Sequence, residues 1–267
     1  MINILDKGYI VLVDSMGDDD TPAKTARTSY NDANKNFSKE RNAGLTDYLI
    51  RHKHNTPVEF IELLFYIKMP IFVARQMIRT RTASVNEISY RYVQATREYY
   101  LPEESRMQKQ SEDNKQGSSS ELVDYPRECL KLIEDSCNNS FDTYERLVAN
   151  GLNLETARTV LPLGTYTEWY WKIDMHNLLH FLKLRLDKHA QYEIRVYAQA
   201  MYDMVKEKYP TVIRSWEKHI LNSTTFSSEE LDCFSVPVPV TVDHLKGSAK
   251  KEMIEKLEKA FEDIDYL

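Results

Sequence analysis

Between Arg75 and Glu98 the run RQMIRTRTASVNEISYRYVQATRE sets five arginines (75, 79, 81, 91 and 97) against two acids, Glu87 and Glu98, inside a chain of formal net charge -6. Guanidinium groups are permanently charged, forked donors that match phosphate and carboxylate. Arg75, Gln76 and Arg79 stand at helical spacing and share one face. Past Arg81 the period changes to two. Glu87, Ser89 and Arg91 alternate with Ile88, Tyr90 and Tyr92, so an extended backbone is expected to present the three polar groups on one side. Ser84, Asn86 and Ser89 add little to packing but hydrogen-bond well, which favours a site over a merely solvated face. An acid, a hydroxyl and a guanidinium beside an arginine helix suit a ligand that is anionic at one end and amide-like at the other. Ser89 has no histidine within the segment to serve as its base, so orienting a ligand suits it better than nucleophilic attack.

Two other readings compete. His176 and His180 stand four residues apart, the spacing at which two imidazoles share a metal, with Asp187 or Glu193 to complete a hydrolase set. The residues between them are Asn177-Leu178-Leu179, without the glutamate of H-E-x-x-H. A non-enzymatic nucleotide-binding or nucleic-acid module could also use the arginines. The acidic total and the lack of an RRM or helix-turn-helix pattern count against that. Phosphate loops are excluded: the seven glycines include no G-x-G and no G-x-x-x-x-G-K. Cys129, Cys137 and Cys233 are odd in number and lack C-x-x-C spacing, against a disulfide framework or zinc site.

The elements that must position these residues follow from periodicity. With 267 residues, 42% hydrophobic and 28% charged, the chain supports a sizeable core. Tyr9 to Asp14 reads as a strand, Thr21-Pro22 as a helix start, and Asn42 to Ile50 as a second helix. Ile61 to Met69 alternates with period two, the clearest strand signal. Pro70 ends it and opens the helix IFVARQMIR. Residues 103–121 are almost devoid of apolar side chains and read as a mobile surface excursion. Tyr125 to Leu161 reads as helical. One long helix is expected from Ile173 to Lys208, with a stripe of Met175, Leu178, Leu182, Leu186, Ala190, Ile194, Tyr197, Met201 and Met204. Lys250 to Ile264 repeats the pattern with Ile254, Leu257, Ala260 and Phe261. The expected class is α+β: a mostly antiparallel sheet packed with long helices, in a single domain over 1–220 with an extension over 221–267. The first residues resemble no secretory signal and no stretch is long enough to span a bilayer, so a cytoplasmic location is expected.

The run Arg79 to Arg91, R-T-R-T-A-S-V-N-E-I-S-Y-R, resembles the signature R-H-R-x-x-S-x-N-x-x-S-x-R of flavin-dependent thymidylate synthases. Three further stretches resemble the family in the same order: His54-Asn-Thr56-Pro57-Val-Glu59, Arg158 ahead of VLP, and LRLDKHAQYEIR from Leu184 to Arg195. The resemblance implies methylation of dUMP to dTMP, with methylene-tetrahydrofolate as carbon donor and FAD, reduced by NADPH, as hydride donor. By matched position, Arg185 is the catalytic cation that stabilises charge on the uracil, with Ser89 orienting the ring. Gln76, Arg79, Glu87, Tyr90, Arg91 and Arg158 complete the substrate set. His54, Thr56, Arg79, Thr80, Arg81, Glu87, Asp174, His176 and His180 fall on flavin positions. Thr80 replaces the family's central histidine. Asp174 and His176 stand where an N-x-R pair is usual, and His180 replaces an asparagine. No cysteine lies in a matching motif, so a thiolate route is not implied. A homotetramer with shared active sites is implied as well, with no metal, nucleic acid or membrane.

Overall fold

A computed structural model describes residues 1–32, 35–112, 117–231, 242 and 245–260. Two compact units divide the chain, Met1–Leu221 and Asn222–Leu267. The first is built on a five-stranded antiparallel sheet in the order β1-β2-β3-β7-β4, with β1 Ile2–Ile4, β2 Gly8–Met16, β3 Glu62–Pro70, β4 Ala83–Glu87 and β7 Tyr166–Asp174. Alternation decides which face is dry. On β3, Leu63, Phe65, Ile67 and Met69 are all at most 1% exposed, while Glu62, Tyr66 and Lys68 point to the other face. Trp169, Trp171 and Ile173 of β7 join the same buried layer. Helices cover it: α4 (Ile71–Met77) through Val73 and Met77, α7 (Met175–Arg185) through Leu178 and Leu182, and α8 (Tyr192–Lys208) through Ile194 and Met201. The short α9 (Pro210–Trp216) adds Val212 and Trp216.

The remaining helices of this unit are α1 (Thr21–Ala26), α2 (Lys39–Arg51), α3 (Thr56–Glu59), α5 (Pro126–Ala149) and α6 (Leu154–Ala157). The second unit holds α10 (Ser228–Leu231) and α11 (Ser248–Ala260) among its described residues. The expected tail helix corresponds to α11, with Phe261 outside the described residues, as is Cys233.

Three expectations are corrected. The helix expected over Ile173–Lys208 is two helices, α7 and α8, and its first residues belong to β7. The break is local chemistry: Asp187 accepts from the His189 backbone N–H at 2.8 Å, an Asx turn that competes with helical bonding. The apolar stripe nevertheless persists, because both helices face one core. Second, residues 103–121 contain a hairpin of β5 (Gln108–Gln110) and β6 (Ser118–Leu122). Its root is fixed by the nearly buried Met107, whose carbonyl accepts from Val123 N at 2.9 Å. Third, the extended run expected to carry Glu87, Ser89 and Arg91 on one side stops at Glu87. Ser89 opens a turn in which its carbonyl accepts from Tyr92 N at 2.9 Å.

Candidate active site

The arginine-rich segment wraps around one edge of the sheet. Gln76 on α4 donates to the Gln191 side chain across the cleft to the α7–α8 loop. Arg79 and Thr80 follow the helix, Thr80 N bonding Met77 O at 3.0 Å, and leave Arg79 and Arg81 exposed. β4 then pairs with β7, Ala83 opposite Ile173 and Glu87 opposite Trp169. Glu87 accepts from Thr167 Oγ1 at 2.5 Å. Tyr90 donates to the Tyr166 carbonyl, and burial pushes its phenol up to about 12. That bond pins the turn carrying Ser89 and Arg91. Ser89 Oγ accepts from Arg91 N at 3.4 Å, and no imidazole or amine bonds it. Arg91 reaches Glu155 of α6 at 3.4 Å, and Arg158 begins the 3-10 turn directly after that helix. The structure therefore gathers Ser89, Tyr90, Arg91 and Arg158 near the Tyr166 end of β7. Arg97 plays a different part: it clamps Asp142 and Glu145 of α5 at 2.5 and 2.7 Å and secures the chain behind the turn.

A second cluster forms at the other end of β7, about 27 Å away at a strand's rise per residue. The turn after α2 carries Lys53 at φ +57, and His54 N bonds Leu49 O at 2.8 Å. This turn exposes His54 beside Asn55 and Thr56, with the Tyr48 ring 6.0 Å from the imidazole. These residues line a cleft of about 790 Å³. It adjoins a smaller one of about 210 Å³ lined by His176, His180 and Lys183, and Lys53 and Asn55 border both. Asp174 is buried and caps α7, accepting from Asn177 N at 3.0 Å and Asn177 Nδ2 at 2.7 Å. Its negative charge is thereby tied to its own helix start. Lys53 and Lys183 beside the two histidines oppose a bound metal, and among the described residues no three His, Cys, Asp or Glu side chains gather in metal-binding geometry.

Arg185 closes α7, half-buried, with its Nε out of contact with water and without a hydrogen-bond partner. The acids next along the chain, Asp187 and Glu193, bond other groups. Asp187 bonds His189 at 2.8 Å, and Glu193 accepts from Tyr100 at 3.1 Å and Gln191 at 2.8 Å. Burial alone pushes the Arg185 guanidinium below its ordinary value, with no acid to offset it.

Sequence reasoning missed β7 itself, although Tyr166, Thr167, Trp169, Trp171 and Ile173 are strong strand formers alternating with Glu168, Tyr170 and Lys172. It also missed Lys53, Asn55 and Lys183 as cleft walls. Their only signal was adjacency to His54 and His180.

A fold that sets unpaired guanidinium groups and imidazole-lysine clefts around one antiparallel sheet defines an α+β protein built for anionic, nucleotide-like ligands. Residues 11–211 match the family model of thymidylate synthase complementing protein. A flavin-dependent thymidylate synthase of Ehrlichia ruminantium (strain Gardel) is 47% identical over 232 residues, 85% of this chain and 76% of that protein. Another, from Treponema denticola, is 44% identical over 256 residues, covering 95% of this chain and 96% of its own. A UMP/dUMP methylase of Streptomyces cacaoi, crystallised with 5-Br dUMP, superposes with a TM-score of 0.74 at 30% identity, over 81% of this chain and 97% of its own. The chain belongs to the family of flavin-dependent thymidylate synthases. Among the described residues, no helix is long and apolar enough to cross a membrane.

Proposed function

We infer that this chain converts dUMP to dTMP, taking the one-carbon unit from methylene-tetrahydrofolate, and that its site residues act as follows. FAD, recharged by NADPH, supplies the hydride when bound. The residues present fit such a group. The paired clefts offer Lys53, Lys183 and His176 to a pyrophosphate-bearing dinucleotide and the ring of His54 to a flat aromatic system. Thr56 and His180 line the same walls, and Asp174, held by Asn177, adds no free anion to them. Arg79, Thr80 and Arg81 lead into β4, whose first residue lies opposite Ile173 at this same end of β7.

On the substrate side, Arg91 and Arg158 take the phosphate with forked donors. Gln76 and Glu87 complete that wall, and Ser89 holds the uracil edge by one hydrogen bond. Arg185 stabilises the negative charge that gathers on N3 and the C2 and C4 oxygens as the ring is activated. The observation that carries this reading is the half-buried Arg185 guanidinium, which has no counterion among the described residues. A cation held that way is matched by an anion that arrives with the substrate.

The two residue clusters lie at opposite ends of β7, which favours sites assembled from more than one subunit, as in a homotetramer. Exposed apolar side chains on the site segment, Ile78, Val85, Ile88, Tyr92 and Val93, support that assembly. The free thiols of Cys129 and Cys137 suit a reducing cytoplasm.

Purified protein given dUMP, methylene-tetrahydrofolate, FAD and deuterium-labelled NADPH is expected to form labelled dTMP. Arg185→Ala is expected to retain bound flavin and lose dTMP formation. Wild-type-like turnover by that variant would remove Arg185 from the mechanism. Ser89→Ala is expected to slow turnover without abolishing it; complete loss with dUMP binding intact would restore the serine as a nucleophile.

A further inference from the structure

The helix break and the hairpin, two features without a part in the chemistry above, face one another. Between them lies a cleft of about 640 Å³. Arg106 and Lys109 come from the hairpin side, and Lys188, Tyr192, Glu193 and Arg195 from the α7–α8 loop and the start of α8. Among the described lining residues, four Lys and Arg side chains thus face a single acid, in a chain that is net acidic.

That acid does not neutralise the cleft. Glu193 is 5% exposed, and its oxygens accept from Tyr100 Oη at 3.1 Å and Gln191 Nε2 at 2.8 Å. Its ion pair with Arg106 is a loose 3.6 Å, and Arg106 Nε is buried without a hydrogen bond. The Arg106 guanidinium is held by stacking 4.6 Å over the Tyr192 ring, so its position is set although its donors are not all used. Arg195 Nη1 donates to the Lys188 carbonyl at 3.0 Å, which fixes the loop that presents the Lys188 ammonium. Among the described residues Lys188 makes no ion pair within 4 Å, although the Asp187 carboxylate lies near enough to feel its charge. Lys109 is paired only at the exposed rim, with Glu121 at 3.5 Å and Asp124 at 3.8 Å. The cleft also borders the catalytic wall: Gln191, at its margin, bonds Gln76 of the substrate set.

We propose that this cleft holds the anionic tail of a co-substrate whose reactive end lies in the active site. Resting on the function proposed above, the shared chemistry is a multiply charged anionic group remote from the reactive ring, carried either as the poly-γ-glutamate tail of the folate or as the 2′-phosphate of NADPH. Several cations around a wide cleft suit such a charged group better than a flat ring, which would require apolar walls.

The test uses the flavin-loaded protein and the double variant Lys109→Ala/Lys188→Ala, neither residue belonging to the catalytic or flavin-binding set. Calorimetry compares affinities for mono- and triglutamylated methylene-tetrahydrofolate, and for NADP+ and NAD+. The wild type is expected to prefer one charged form over its less charged counterpart, and the variant to lose that preference by about tenfold, the scale of one or two charge-assisted contacts. Loss confined to the folate pair identifies the glutamyl tail; loss confined to the dinucleotide pair identifies the 2′-phosphate. Equal preferences in wild type and variant for both pairs overturn the proposal. Because binding is read directly, a wild type that binds but forms no dTMP sinks the functional reading instead.

Discussion

Replacing Arg185 by methionine is expected to move stability and activity in opposite directions. The guanidinium lies half out of water, its Nε has no partner among the described residues, and no acid offsets its burial. A fully buried ion costs several kcal/mol. Arg185 keeps part of its head in solvent, so the penalty is discounted to about 1 kcal/mol. Methionine retains the aliphatic stem against the core and removes the charge. The ligand-free variant should therefore melt about 2–4 °C higher, the shift that 1 kcal/mol gives a domain of this size. Saturating dUMP at about 100 times its Kd should stabilise the wild type by about 2.7 kcal/mol and the variant by much less. Turnover should fall by at least about 10²-fold, as on loss of a fixed donor to developing charge. Thermal melts with and without dUMP, run beside a dTMP assay, read all three effects. A ligand-free melt lowered by several degrees would refute the reasoning, because it would mean that Arg185 already has a counterion, one supplied by a neighbouring subunit.

Gly8→Ala should destabilise by about 2 kcal/mol, since a Cβ there would meet the Ile4 carbonyl at 2.8 Å, the Lys68 carbonyl at 2.9 Å and the Tyr197 hydroxyl. A urea midpoint equal to wild type at unchanged slope would contradict that packing. Asp174→Ala should cost about 1–2 kcal/mol through the lost cap of α7, and Asp174→Asn much less. Flavin content should be unchanged in both, and its loss in Asp174→Asn would place the carboxylate on the cofactor instead. Tyr90, raised from 10.0 to about 12, gives a pH signature. Its folded form holds the proton more tightly than the unfolded form, so its contribution is complete below pH 10 and is lost as pH rises toward 12. The alkaline limb of the stability profile should shrink in Tyr90→Phe, and an identical limb would show that the Tyr166 bond is not what holds the turn.

Local chemistry was legible in the sequence wherever one stretch of chain carries it alone. The alternation of β3, the start of the arginine helix and the proline that ends one element and opens the next are short-range patterns, and each fell where periodicity and residue type put it. What depended on partners distant in sequence was not legible. The end of β7 runs without a break into the apolar stripe of α7, so where strand gives way to helix is set by the pairing of Ile173 and Asp174 with β3 on one side and of Ile173 with β4 on the other. The stripe from Met175 to Met204 kept its spacing across a broken helix, since two helices packed on one core satisfy the same burial pattern as one. Tertiary structure alone assigned the side chains that share residue type but not role. Arg97 became a clamp on α5, and Asp174 a helix cap. Arg185 was left without a counterion among the described residues, its guanidinium partly buried with no acid to offset that burial. Charge is a property of the residue, but whether that charge is free to meet a ligand is decided by the company the fold gives it.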